Sequence, residues 1–179
     1  MRTFVVSCLL VVVAASARAT VLVPTDLGEM SKNALAIVRG RVRALDARWT
    51  DDHRTIETMV TLDAENYLKG GLGTTVQFRV PGGELGRYRS IVVGAPEFSV
   101  GQRVVVFLGA RGPSVPYLIG FSQGVFRVVP TADNSGWIVT PPGIMPSAAG
   151  PIVRGDPSRP TLALAEFESR VRALAGGAR

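Results

Sequence analysis

The chain has 179 residues, enough for one domain with a real core, and a mildly basic formal charge of +6. Its single cysteine, Cys8, falls in a leader segment, so the rest of the chain excludes a disulfide framework and any cysteine metal site. No later apolar run is long enough to cross a bilayer as a helix.

Residues 1–19 read as a secretory signal peptide. Arg2 supplies the positive n-region, Phe4 to Ala15 the apolar h-region, and Ala17-Arg18-Ala19 an A-x-A cleavage site. Val5-Val6-Ser7-Cys8 looks like a lipoprotein cleavage box but lies too early to leave an h-region before it. Cleavage after Ala19 makes Thr20 the mature N-terminus. It removes Arg2 and Arg18, which lowers the formal charge by two, from +6 to +4. The expected location is therefore periplasmic or extracellular. Abundant Ala, Val, Gly and Arg with little Lys suggest a bacterium with GC-rich codons.

After an extended stretch from Thr20 to Pro24, Thr25 to Ala34 forms a short helix with Thr25 as N-cap and Leu27 and Met30 turned inward. Ala36 to Trp49 and Ile56 to Leu68 then read as two long strands around an exposed Asp51-Asp52-His53-Arg54 turn. In the second, Ile56, Thr58, Val60, Leu62 and Ala64 alternate with Glu57, Met59, Thr61, Asp63, Glu65 and Tyr67, the period of a half-buried strand. In the first, Val38, Gly40, Val42 and Ala44 share one face, and Arg39, Arg41 and Arg43 the other. Gly40 in mid-strand predicts a bend or bulge.

Thr75 to Val80 is a third strand, ended by Pro81-Gly82-Gly83, with a loop over Glu84 to Arg89 and a short strand over Ser90 to Val93. The continuous apolar run Arg103 to Leu108 predicts a strand buried on both faces. Tyr117 to Phe121 and Val125 to Val129 form a hairpin, and Trp137 to Val139 returns after the Asp133-Asn134-Ser135-Gly136 turn. Residues 141–160 are a Pro/Gly-rich linker. Leu164, Phe167, Val171 and Leu174 place one apolar stripe on a C-terminal helix within 161–179, which docks on the rest. The expected fold is mainly β, a small OB-like β-barrel over 20–140 with a short N-terminal helix and a C-terminal helix.

The segments Ala34 to Val42, Thr61 to Gly70 and Phe98 to Leu108 resemble exported bacterial domains of unassigned role. They are also distantly similar to the netrin-like OB barrel of the tissue inhibitors of metalloproteinases. The resemblance spans roughly Ala34 to Val129 and implies an OB barrel. As a functional alternative it implies a protease-inhibitor-like module. The inhibitors' zinc-chelating N-terminal cysteine has no counterpart at Thr20.

Several patterns suggest chemistry, each with a simpler structural explanation. Gly120-Phe121-Ser122-Gln123-Gly124 matches G-x-S-x-G, yet a strand follows it where a hydrolase needs a helix, and the only histidine, His53, lies upstream. His53 with Asp51 and Asp52 falls short of a zinc ligand set. Asp63 and Glu65 share a strand face without a cleft. Gly82-Gly83-x-x-Gly86 has no following helix to present amides to a phosphate. The residues thus point to no catalytic, cofactor or metal site and to a non-catalytic binding or interaction domain, whose partner is another exported protein. Candidate interaction residues are Arg39, Arg41, Arg43, Glu84, Arg87 and Arg89, with the 82–89 and 109–116 loops. The alternative is a polyanion or nucleic-acid binder using the Arg39, Arg41 and Arg43 face. Its arginines have carboxylate neighbours, since an antiparallel register sets Arg41 opposite Asp63 and Arg39 opposite Glu65, or, two residues away, Arg41 opposite Glu65 and Arg43 opposite Asp63.

Overall fold

The computed structural model describes residues 25–110, 112, 115–141 and 160–176. The expected signal peptide and residues 142–159 of the expected linker lie outside these. The chain runs α1 (Leu27–Asn33), β1 (Ala36–Trp49), β2 (Ile56–Lys69), β3 (Thr75–Pro81), β4 (Gly83–Leu85), β5 (Tyr88–Ser90), β6 (Arg103–Gly109) and β7 (Tyr117–Leu118). A single 3-10 turn (Phe121–Gly124) follows, then β8 (Val125–Pro130), β9 (Trp137–Thr140), β10 (Leu162–Ala163) and α2 (Leu164–Gly176).

β1, β2, β3, β7 and β6 form a ring of five strands, closed by β1 pairing with β6. Its one parallel contact joins Arg79 of β3 to Tyr117 of β7. The fold is the expected small OB-like barrel with a helix near each end. β8 pairs with β6 beyond β7, and β9 and β10 extend the sheet outward from there.

Two cores share the strand β6. Val104, Val106 and Leu108 point into the barrel with Val38, Val60, Leu62 and Phe78. Val105 and Phe107 point the other way, into a layer formed with Met30, Phe126, Val128, Phe167 and Val171. An unbroken apolar run is what a strand buried on both faces requires, and both helices exist to cover its outer face. Phe126 links sheet to helix, its ring 5.7 Å from Phe107 and 4.8 Å from Phe167.

The β1–β2 pairing is interrupted three times, and each interruption turns side chains over. The register passes from Ile37↔Lys69 to Val38↔Tyr67, from Arg39↔Asn66 to Gly40↔Ala64, and from Val42↔Leu62 to Ala44↔Thr61. Leu68, Glu65 and Arg43 are the extra residues. Strict alternation therefore fails at the strand ends: Tyr67 packs against the barrel core, Leu68 joins the helix layer, and Leu45 takes the inward place expected of Ala44. Gly40 sits between two of these bulges, where a Cβ would collide with the Asp63 carbonyl and with Leu62.

Four boundaries differ from expectation. Asp26, not Thr25, caps α1: its Oδ2 accepts from the Gly28 N–H at 2.9 Å and from Glu29 at 3.3 Å, positions a residue earlier could not reach. The Glu84 to Arg89 loop contains a hairpin, β4 to β5, and the strand expected over Ser90 to Val93 ends at Ser90. β7 and β8 make no hairpin, because both run along the same edge of β6 and the 3-10 turn steps between them. The C-terminal segment pairs as β10 with β9 before the helix begins.

Phe167 is 3% exposed and touches both the sheet and the helix layer. Phe167→Ala should lower unfolding stability in denaturant titration by about 3–5 kcal/mol, the cost of truncating a buried aromatic. A loss below about 1 kcal/mol, typical of a surface site, would show that α2 does not seal this core.

Candidate functional site

Of the arginines of β1, Arg39 reaches α2. Arg39 Nη1 is 2.9 Å from Glu168 Oε1 and its Nε 3.5 Å from Glu65 Oε2. Arg103 of β6 holds the other Glu65 oxygen at 2.9 Å, and its guanidinium lies 4.3 Å from the centre of the Trp137 ring. Glu168 also accepts from Asn66 Nδ2 at 3.0 Å and from Arg172 Nη2 at 3.2 Å. Arg39 Nε and Glu168 Oε1 are buried without an aligned hydrogen bond, so the Arg39–Glu168 contact is an ion pair held by proximity.

Neither anticipated set of charge pairs forms as a whole. Arg39 meets Glu65, and Arg43 meets Asp63 at 3.3 Å, one pair from each register. The bulges at Glu65 and Arg43 carry both side chains across. Arg41 stands opposite Asp63 on β2 and opposite Arg103 on β6, is exposed, and makes no ion pair among the described residues. Asp63 and Glu65 are each ion-paired with arginines.

Glu84, Arg87 and Arg89 come together elsewhere, on the β4–β5 hairpin at one mouth of the barrel. Glu84 and Arg89 form an exposed ion pair at 3.1 Å. Arg87 donates from Nη2 to the Tyr88 hydroxyl at 2.9 Å, and the Tyr88 ring meets Trp49 edge-on at 5.4 Å. Arg39 lies near the opposite end of the strand that carries Trp49, so the two halves of the expected candidate set do not converge. The hairpin arches over a cavity of about 530 Å³ lined by Leu45, Val80, Gly83, Ile91 and Phe98. A second cavity, about 590 Å³, lies between Ile56, Leu118, Tyr117 and Phe121, and both cavities include Pro81 and Pro96.

Sequence reading missed the apolar rim of this mouth. Ile91 and Val93 are 75% and 70% exposed, and Phe121 and Tyr117 are 39% and 36% exposed. The pattern of residues 90–93 suggests a short strand; its place after a hairpin already folded over the barrel mouth leaves Ile91 and Val93 exposed. Phe121 follows Gly120 (φ 67) and itself adopts φ 53, a region that bulky side chains avoid. The turn is fixed by the Ser122 N–H on the Gly94 carbonyl at 3.0 Å and by the buried Gln123. The G-x-S-x-G pattern thus belongs to a 3-10 turn in which Ser122 is buried.

The Asp51-Asp52-His53 turn is likewise accounted for by its own hydrogen bonds. The Thr50 hydroxyl donates to Asp52 Oδ1 at 2.6 Å, the Arg54 N–H joins at 3.2 Å, and His53 takes φ 54. These bonds, the Thr50 hydroxyl first, lower the Asp52 pKa. The β8–β9 turn repeats the design, with the Thr131 hydroxyl on Asp133 Oδ1 at 2.6 Å and Asn134 at φ 56. Among the described residues no three His, Cys, Asp or Glu side chains converge as a metal site. No described helix is long and apolar enough to cross a membrane. A scan of protein-family models finds no match to the chain, and a search of curated proteins finds no relative.

The Asp133 carboxyl is held down to about 2 by the Thr131 hydroxyl and then by Ser135, from an ordinary 3.8. A pKa lower in the folded state stabilises in full above the unfolded value and is lost as pH falls through the folded one. Asp133→Asn should therefore melt below the parent at neutral pH, with the gap closing between pH 3.8 and about 2. A gap independent of pH over that range would show that the ionised carboxylate is not what fastens the turn.

Proposed function

We propose that the chain is a non-catalytic interaction domain of an exported protein, and that it offers the barrel mouth to another exported protein. The observation that carries this reading is the apolar rim. Single exposed hydrophobic residues are ordinary, but Ile91, Tyr117 and Phe121 line two adjoining cavities at one end of the barrel. Loops carried on a rigid barrel are a common place for recognition. Export is supported by the charged, apolar and A-x-A succession of residues 1–19. The polyanion alternative needs several free cations along the Arg39, Arg41 and Arg43 face, whereas Arg39 and Arg43 are each matched by a carboxylate and Arg41 alone of the three has no ion pair among the described residues.

A photo-cross-linking residue placed at Ile91, in the chain expressed with its leader, tests this. The exported product should begin at Thr20 and yield a discrete adduct with another exported protein. The same probe at Arg127, which lines neither cavity, should not. Equal adducts from both positions, or none from Ile91, would contradict the reading.

A further inference from the structure

The second cavity has a composition that goes further than an apolar patch. Its base is Ile56 and Leu118, both buried, and its rim is Tyr117 and Phe121, both exposed. At about 590 Å³ it lies in the size range of sites that enclose small ligands, about 300–1,000 Å³.

Two charged residues line it, Glu57 and Arg79, and the single carboxylate of Glu57 is shared between Arg79 and Arg48. Glu57 Oε1 is taken by Arg48, through Nε at 2.9 Å and Nη2 at 2.8 Å. Arg79 Nη1 is left 3.9 Å from Glu57 Oε2, at the outer edge of ion pairing. Its side chain is one-third exposed, and no hydrogen bond from its guanidinium to a described residue is present. A guanidinium carries five N–H donors in a fork that fits a carboxylate, so Arg79 keeps an anion-binding edge beside an apolar hollow.

The backbone at Phe121 is the second observation. A left-handed aromatic residue is disfavoured, and such strain persists where the surroundings impose it, often at binding sites. Here the Ser122 and Gln123 backbone bonds fix the turn and leave the Phe121 ring on the cavity rim.

We propose that this groove binds an extended peptide segment of the partner protein in which an aromatic or aliphatic side chain stands beside a carboxylate. The apolar side chain enters between Tyr117 and Phe121 onto Ile56 and Leu118, and the carboxylate pairs with Arg79. The inference rests on the interaction-domain reading and adds the chemistry of the partner.

Selection of short random displayed peptides on the folded chain tests it. Enriched peptides should combine aromatic or aliphatic residues with Asp or Glu. Arg79→Gln should weaken the best of them by about tenfold, the cost of a charged hydrogen-bonded contact, and should not affect the same peptide with its carboxylates amidated. Phe121→Gly should weaken both peptides while the melting temperature holds or rises, since glycine occupies that backbone region without strain. No enrichment, enrichment of basic peptides, equal loss of acidic and amidated peptides in Arg79→Gln, or unchanged binding in Phe121→Gly would each overturn it. Adducts from Ile91 alongside any of these results would leave the barrel mouth as an interaction surface and remove only this partner chemistry.

Discussion

The structure depends on a single requirement, that β6 be buried on both faces. A strand with Val at 104, 105 and 106, then Phe107 and Leu108, has no side to give to water. The barrel takes one face, and a second layer must take the other. That layer cannot come from the barrel itself, so α1 and α2 are drawn in from opposite ends of the chain and pack against each other as well as on the sheet. β8 and β9 widen the platform, contributing Phe126, Val128 and Val139 to the same layer. The bulges of the β1–β2 pair follow from the same demand. Strands that serve the barrel in their middle and the helix layer at one end must change face along their length, and an extra residue is the way to do it.

The charged seam is a consequence. Where the outer sheet face passes beyond the apolar layer, Arg39 and Arg103 meet Glu65, and Glu168 reaches in from α2. Glu168 is nearly buried, so its pairing with Arg39 is set against the cost of removing both charges from water, and the net gain is small. The seam matters for function in another way. It commits Arg39 and Arg103 to carboxylates and leaves Arg41 as the exposed guanidinium of β1 without an ion pair among the described residues, while the barrel mouth carries an exposed apolar rim and the loosely paired Arg79.

Periodicity made much of this legible. The long hairpin, the doubly buried β6 and the stripe of Leu164, Phe167, Val171 and Leu174 were each written in local spacing, and each element is where that spacing puts it. The face of Tyr67 or Leu45 was not, because a bulge is decided by which two strands flank a residue, and that is settled only when the ring closes. The candidate site was legible in part. Glu84, Arg87 and Arg89 do gather at the mouth, whereas Arg39, Arg41 and Arg43 belong to another face. Ile91 and Val93 look like core in any window of sequence, and their exposure is a tertiary fact. Phe121 gave one local hint, its place after a turn-forming glycine, but nothing in the sequence reveals its own left-handed backbone.

Because β6 is buried on both faces and β4 and β5 form a two-stranded sheet of their own, native-state hydrogen exchange should divide the molecule accordingly. The amides of Val104 to Phe107 should exchange only through global unfolding, with an opening free energy equal to that from denaturant titration. The amides of Tyr88 to Ser90 and the segment that follows should exchange through local opening that leaves β6 protected. Opening of β6 ahead of that hairpin, or a single common opening energy for both, would contradict the account.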